Sequence, residues 1–355
     1  MYRQWLNRNP GRRWTRSLAV TERLPDIGDI RSAADRLRDI ANRTPLLESE
    51  RLNERLGARI LLKCEMFQPV GAFKVRGAWN LMSRLSEAER ASGAVAFSSG
   101  NHAQAVAWAG RRLGISTTII MPMDAPRIKI ANTRALGAEI RLYDRTKDDR
   151  EEIARQIVGE SGAVIVPPFD HAEIIAGQGT VGLEAAEQCA AIGVVPDVAI
   201  VPCSGGGLIA GCAIALKSAY PEIEIFAAEP EGFDDTGKSL GEGKRIRNSP
   251  AAGSICDALL VPVPGELTFE INKTLLAGGL VASDEDVRKA MFAAFSDCRL
   301  VVEPGGAAGL AAAMKNGDRF AGRAICIVLS GGNTDPGLFA EILSDGDGAK
   351  QAFAV

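Results

Sequence analysis

No apolar run in this sequence approaches the roughly 18 residues that would suggest a membrane-spanning helix. The N-terminal stretch lacks the hydrophobic segment of a secretory signal. No two cysteines stand in a C-x-x-C spacing, so neither a zinc knuckle nor a disulfide framework is indicated. A basic excess is missing too. The formal net charge is -3 at pH 7, which gives nucleic acid or an anionic membrane no reason to bind. Low-complexity tracts, long linkers and internal repeats are also lacking. These absences point to a soluble, cytoplasmic protein with neither a nucleic-acid nor a membrane partner.

What is present is ordinary enzyme composition: 355 residues, 46% apolar and 24% charged, enough for one or two domains with a sizeable core. The seven cysteines mostly lie in apolar runs and read as small core residues in a reducing compartment. Residues 1–27 carry six arginines against Glu22 and Asp26. That leader reads as a flexible extension or the product of an upstream start, with a transit peptide as the alternative.

From residue 58 onward, short β-branched runs alternate with helical patterns. Strands are expected over 59–63, 94–97, 117–121, 139–142, 164–166, 198–201, 224–227 and 325–329. Helices are expected over 102–113, 127–135, 148–159 and 286–295. Near-continuous apolar strands suit a parallel sheet covered on both faces, and the alternation argues for an α/β architecture.

Four loops carry chemistry. In the first, Lys74 follows a Pro-Val-Gly turn and precedes a helix. A lysine in a partly apolar pocket has a lowered pKa and can form a Schiff base, although a lone lysine is usually a solvated charge. The second, 98–104, reads Ser-Ser-Gly-Asn-His-Ala-Gln between a strand and a helix. Its hydroxyls and helix-start N–H groups suit a carboxylate, or else simply cap the helix. The third is Ser204-Gly205-Gly206-Gly207-Leu208 after a strand. Three glycines let backbone wrap a phosphate. No Gly-Lys-Ser/Thr follows, and position 210 is alanine, so this is neither a P-loop nor the dinucleotide fingerprint. A tight structural turn is the other reading. In the fourth, Ser330 precedes Gly-Gly-Asn-Thr-Asp and stands where it could donate to a cofactor ring nitrogen.

In this order the loops resemble the serine/threonine dehydratase and serine racemase group of pyridoxal 5'-phosphate (PLP) enzymes. The likeness spans about residues 28–345. Ala-Phe-Lys-x-Arg-Gly-Ala, Ser-Gly-Asn-His-Ala-Gln, Ser-Gly-Gly-Gly-Leu and Leu-Ser-Gly-Gly-Asn carry it, with the Glu-Pro turn at 302–309. The resemblance implies a two-domain tryptophan-synthase-β-like fold (fold type II) with parallel-rich sheets. Its larger domain would take 28–92 and 171–346, its smaller, mobile one 93–170, and a tail 347–355. A homodimer or homotetramer is implied.

The same resemblance assigns roles. Lys74 would hold PLP as a Schiff base and act as acid and base on one face of the substrate Cα. Phe73 would pack on the pyridine ring, with Ala258 opposite. Asn101 would bond the phenolic oxygen, Ser204 through Leu208 (with Gly205, Gly206 and Gly207) would cradle the phosphate, and Ser330 would bond the ring nitrogen. Ser98, Ser99, Asn101 and His102 would bind the substrate carboxylate, and Arg150 would face the substrate. A neutral serine on the ring nitrogen is a weaker electron sink than an aspartate, which favours prompt β-elimination.

Two positions depart from the dehydratase pattern. Ser99 stands where dehydratases often carry alanine and racemases a serine, so it is a candidate second catalytic group. Val261 falls near a serine of racemase-like pockets. Glu229, the backbone carbonyl of Phe233, and Asp235 resemble that group's divalent-cation site, whose hard oxygens suit Mg²⁺, Mn²⁺ or Ca²⁺. The other reading is an acidic solvated loop. A C-terminal regulatory module, and feedback inhibition through it, is not expected.

The expected function is a PLP-dependent ammonia-lyase. It would convert a small β-hydroxy amino acid, L-threonine or L-serine, to a 2-oxo acid and ammonia. The alternatives are a serine racemase and a 3-hydroxyaspartate dehydratase with racemase side activity. A β-replacement enzyme fits the motifs less well. A silent binding protein on the same fold would be expected to lose Lys74, and a nicotinamide dehydrogenase conflicts with the glycine spacing.

Overall fold

The computed structural model describes residues 23–249 and 253–345. The Arg-rich leader up to residue 22 and the 347–355 tail lie outside the described residues. Residues 23–26 lead into the first of the described helices, Ile27–Leu37, whose start is fixed by a capping box between Asp26 and Asp29.

The strands are β1 (Leu46–Glu48), β2 (Arg59–Cys64), β3 (Ala94–Phe97), β4 (Thr117–Pro122) and β5 (Glu139–Tyr143). They continue as β6 (Val164–Ile165), β7 (Val198–Pro202), β8 (Glu224–Pro230), β9 (Gly278–Ala282) and β10 (Ala324–Leu329). Two sheets form. One has the order β1-β2-β10-β7-β8-β9, and the other β5-β4-β3-β6. Every pairing is parallel except the short edge strand β1, which runs antiparallel to β2.

Burial explains the strand sequences. β7 is buried along its whole length, and β10 at all but its first residue. The register sets Ile327 of β10 between Leu62 of β2 and Ile200 of β7. Residues covered on both faces have no use for a polar alternation. β5, at the edge of the smaller sheet, instead exposes Glu139 and Arg141, charges that blunt an open edge.

Helices Ala172–Ala191 and Gly207–Ala219 lie side by side against the larger sheet. They approach so closely that a Cβ on Gly211 would sit 2.4 Å from the Ile175 carbonyl. Helix Gly207–Ala219 buries nine of its first ten residues, which is why its sequence is apolar all round. Among the described residues, no helix is long and apolar enough to cross a membrane.

Because the sheets are parallel, the loops leaving β2, β3, β7, β8 and β10 all emerge at strand carboxyl ends. Open α/β sheets place ligands there.

Candidate active site

Lys74 opens the helix Lys74–Met82, directly after the tight turn Pro69–Gly71. That turn is strained: Val70 is held at φ +57, a region costly for a β-branched residue. Backbone bonds hold it against the fourth loop, from Phe73 N–H to the Ser330 carbonyl (3.1 Å) and from Gly332 N–H to the Gly71 carbonyl (2.9 Å). Lys74 and Ser330 are thereby fixed on neighbouring strands of backbone.

A buried ionic network anchors the same helix from behind. Arg76, fully buried, donates to Glu65 and Glu184, and Lys63 donates to Glu184 at 2.6 Å. Thr44 donates to Glu65, and Thr180 accepts from Arg76. Buried charges are tolerable only when paired and bonded this fully, and removing one member strands the rest.

The Lys74 ammonium donates to the Pro168 carbonyl at 2.7 Å and lies 5.0 Å from the Phe73 ring centre. Burial pushes its pKa down to about 8, against the pull of the Glu303 carboxylate. An amine so placed is unprotonated in about a tenth of molecules at pH 7, a few hundredfold more than an ordinary lysine, and can act as a nucleophile.

Asn101 starts the helix Asn101–Leu113. Its side chain is oriented from both ends. Nδ2 donates to Glu303 Oε1 at 2.6 Å, and Oδ1 accepts from Asn333 Nδ2 at 2.8 Å. One Asn101 N–H is left over for a ligand. Burial lifts the Glu303 carboxyl to about 7, moderated by the Asn101 bond. Sequence alone does not single out Glu303 or Asn333, although both lie in the Glu-Pro and Ser-Gly-Gly-Asn segments that carry the resemblance.

Ser98 and Ser99 lie half-buried in the loop between β3 and that helix, where Ser98 Oγ accepts from Gly100 N–H at 3.2 Å. His102 is placed differently from its neighbours. Its ring is 3% exposed, with Nε2 2.8 Å from the Val166 carbonyl, and burial drives its pKa down to about 3. The neutral imidazole is committed to the core, so His102 has its helix-start N–H to offer a substrate. Arg150 begins the helix Arg150–Ser161 and holds its guanidinium 5.1 Å from the centre of the Phe97 ring, at the strand end that feeds the Ser98 loop. A cation in a helix's first turn opposes the helix dipole, so helix stability gives no reason for it.

The glycine loop follows β7. Ser204 Oγ accepts from Val261 N–H at 3.2 Å, leaving its own proton free to donate. Gly206 has φ +93, and its missing Cβ would lie 2.8 Å from Asn272 Nδ2. A Cβ on Gly205 or Gly207 would collide with Phe169. Helix Gly207–Ala219 then leads away with Leu208 buried, so its free N–H groups face the loop. Ser330, 5% exposed, closes the set at the end of β10. A paired lysine amine, an amide with a spare donor and a phosphate cradle with no room for side chains fit one phosphate-bearing aldehyde cofactor.

The pattern of the family described as "Pyridoxal-phosphate dependent enzyme" matches residues 37–331. The chain belongs to this family. PLP is therefore its cofactor, and its fold is the two-domain type II fold. The L-threo-3-hydroxyaspartate ammonia-lyase of Saccharomyces cerevisiae is 41% identical over 322 residues, covering 90% of this chain and 97% of its own. The serine racemase of Schizosaccharomyces pombe is 40% identical over 321 residues, covering 90% and 98%. The solved serine racemase of maize superposes with a TM-score of 0.84 at 37% identity, covering 93% of this chain and 100% of that one. A solved threonine deaminase superposes with a TM-score of 0.83 at 40% identity, covering 88% and 99%.

The cation candidates lie after β8. Glu229 is fully buried, and its two oxygens accept from Thr236 and Gly237 N–H, each at 2.8 Å. Asp235 Oδ1 accepts from Asn248 at 2.9 Å, while its buried Oδ2 has no partner. Burial raises Glu229 to about 8 and Asp235 to about 7. Among the described residues, no group of three or more His, Cys, Asp or Glu side chains could hold a metal. Any cation here would rest on two carboxylates, a carbonyl and water. An unpartnered buried carboxylate oxygen fits that donor set.

Proposed function

We propose that the enzyme dehydrates and deaminates a small β-hydroxy amino acid, L-threonine or L-serine, to a 2-oxo acid and ammonium. The observation that carries this reading is Lys74: an amine with a pKa near 8 that donates to Pro168, one residue before the Phe169 ring that closes on Gly205, and that lies near enough to His102 to help lower its pKa.

Bound PLP supplies the electron sink that makes the Cα proton of the substrate acidic. The chain's residues do the rest. Ser204 through Leu208 hold the phosphate, Ser330 bonds the ring nitrogen, Asn101 bonds the phenolic oxygen and Phe73 packs on the ring. The loop from Ser98 to His102 binds the substrate carboxylate through its hydroxyls and N–H groups. Lys74 takes the Cα proton. The β-hydroxyl departs with a proton as water, and the released enamine hydrolyses to the 2-oxo acid and ammonium. Ser99 faces the opposite side of Cα and allows slower inversion.

Glu229, the Phe233 carbonyl and Asp235 hold a divalent cation that steadies the loop after β8. The segment 93–170 moves as the smaller domain over the larger one. The enzyme works as a homodimer or homotetramer in the cytoplasm.

A second reading, a 3-hydroxyaspartate dehydratase, is favoured by Arg150. Its guanidinium, beside the carboxylate loop, suits a second carboxylate on the substrate. Release of 2-oxo acid from L-threonine, L-serine, L-threo-3-hydroxyaspartate and their enantiomers tests both readings. Absence of 2-oxo acid from the whole panel would contradict them together.

A further inference from the structure

Helix Glu266–Leu275 starts at Gly265, which has no side chain to cap it. Its first three N–H groups are nevertheless paired. The Asp170 carboxylate, far back in the chain, accepts from Glu266 at 2.8 Å, from Leu267 at 2.9 Å and from Thr268 at 3.1 Å. The same turn grips the glycine loop. Thr268 Oγ donates to the Gly205 carbonyl at 2.6 Å, and Gly265 N–H donates to it at 3.2 Å. From the other side the residue before the cap closes in: a Cβ on Gly205 would meet the Phe169 ring at 2.4 Å.

We propose that Asp170 is a positioning residue for the phosphate end of the cofactor, acting through the first turn of helix Glu266–Leu275. In a planar trans peptide the carbonyl and the next N–H point opposite ways. Holding the Gly205 carbonyl towards Thr268 therefore aims the Gly206 N–H away from it, into the cradle. The carboxylate fixes that helix turn, and the turn fixes the peptide. The carbonyl that accepts from Lys74 belongs to Pro168, two residues before the cap, so one anchor serves both loops. This inference rests on the reading of residues 204–208 as the phosphate cradle.

The test measures binding of PLP, and separately of pyridoxal, to the apoenzyme of each variant, with thermal melting as a check on folding. Pyridoxal lacks the phosphate and reports the lysine end alone. Asp170→Ala is expected to raise the dissociation constant of PLP about tenfold, the effect of losing a helix cap, and that of pyridoxal less than twofold. Gly265→Ala puts a Cβ 2.4 Å from Asp170 Oδ1 and 2.7 Å from Thr268 Oγ, the groups that fix the turn and the Gly205 carbonyl, and should give a selective loss of PLP affinity at least as large. Asp170→Asn keeps one oxygen for the cap and covers the case in which alanine prevents folding. It should lose PLP affinity selectively and by less. A folded variant that binds PLP as wild type does, or equal losses for PLP and pyridoxal, would overturn the proposal. Failure of the cradle reading shows separately, as wild-type protein that binds PLP no more tightly than pyridoxal, and it takes the proposal with it.

Discussion

At the scale of single residues, the site depends on how much each polar group is already committed. The amine of the half-buried Lys74 spends one bond on Pro168, and its depressed pKa follows from desolvation. Lys74→Ala should leave melting nearly unchanged and reduce 2-oxo acid release by at least about 10³-fold, since a covalent anchor and a general base go together. A variant with near-wild-type turnover would contradict the role. Ser99 is half-buried in the loop before Asn101. Ser99→Ala should abolish solvent-deuterium incorporation with inversion while elimination from the L-substrate survives; if both fall together, Ser99 only binds. Lysine and the glycines were legible because their motifs are local. Glu303 and Asn333 were not, because they meet Asn101 across separations of 202 and 232 residues that only the fold closes. Asp170 escaped for the same reason: its cap serves a helix about a hundred residues away.

At the scale of elements, helix Asn101–Leu113 is tied to the chain beyond β6 by the bond from His102 to Val166. That imidazole titrates near 6.5 when unfolded and at about 3 when folded. Between those values the unfolded chain binds more protons, so acidification destabilises the fold, by about 2 kcal/mol at pH 5 from this group alone. His102→Gln keeps a donor for Val166 and cannot titrate. Its urea-unfolding free energy should therefore vary less between pH 7 and pH 5 than the wild type's. An unchanged pH slope would remove His102 as the cause.

The loop after β8 gives a second test at this scale. Exhaustive chelation should lower the melting temperature, Mg²⁺ or Mn²⁺ should restore it, and Glu229→Gln with Asp235→Asn should abolish the response. Full stability and activity with no bound metal would leave Glu229 and Asp235 as buried carboxyls held by Thr236, Gly237 and Asn248 alone. Parallel strands were readable from sequence because burial on both faces writes an apolar run. β1 and β9 were not, because one has three residues at an edge and the other opens with two glycines. The four helices given bounds from sequence fell within a few residues of the observed ones, with ends decided by caps such as Ser283 before Asp284–Cys298, whereas Ala172–Ala191 and Pro304–Lys315 were not delimited.

At the scale of the whole molecule, the segment carrying β3 to β6 meets the rest through an apolar cluster, with the Trp79 and Trp108 rings 5.8 Å apart, and beside it through polar contacts. Asn101 reaches Glu303 and Asn333, and Lys129 reaches Asp257 at 2.5 Å. Asp257 lies in the same short turn as Ala258, the residue that the resemblance sets against the cofactor ring. Partly exposed pairs of this kind contribute up to about 1 kcal/mol. Lys129→Met should therefore cost about a factor of five at most in kcat/KM, and should speed hydrogen exchange across 93–170. Unaltered exchange would mean that the pair does not hold the halves together.

Lys74 carries the whole assignment. Borohydride reduction of the purified holoenzyme, followed by peptide mapping, tests it most directly. The result predicted is loss of the yellow absorbance together with one phosphopyridoxyl-modified peptide, labelled at Lys74 and lost in Lys74→Ala. A label on another lysine, or no label at all, would contradict it.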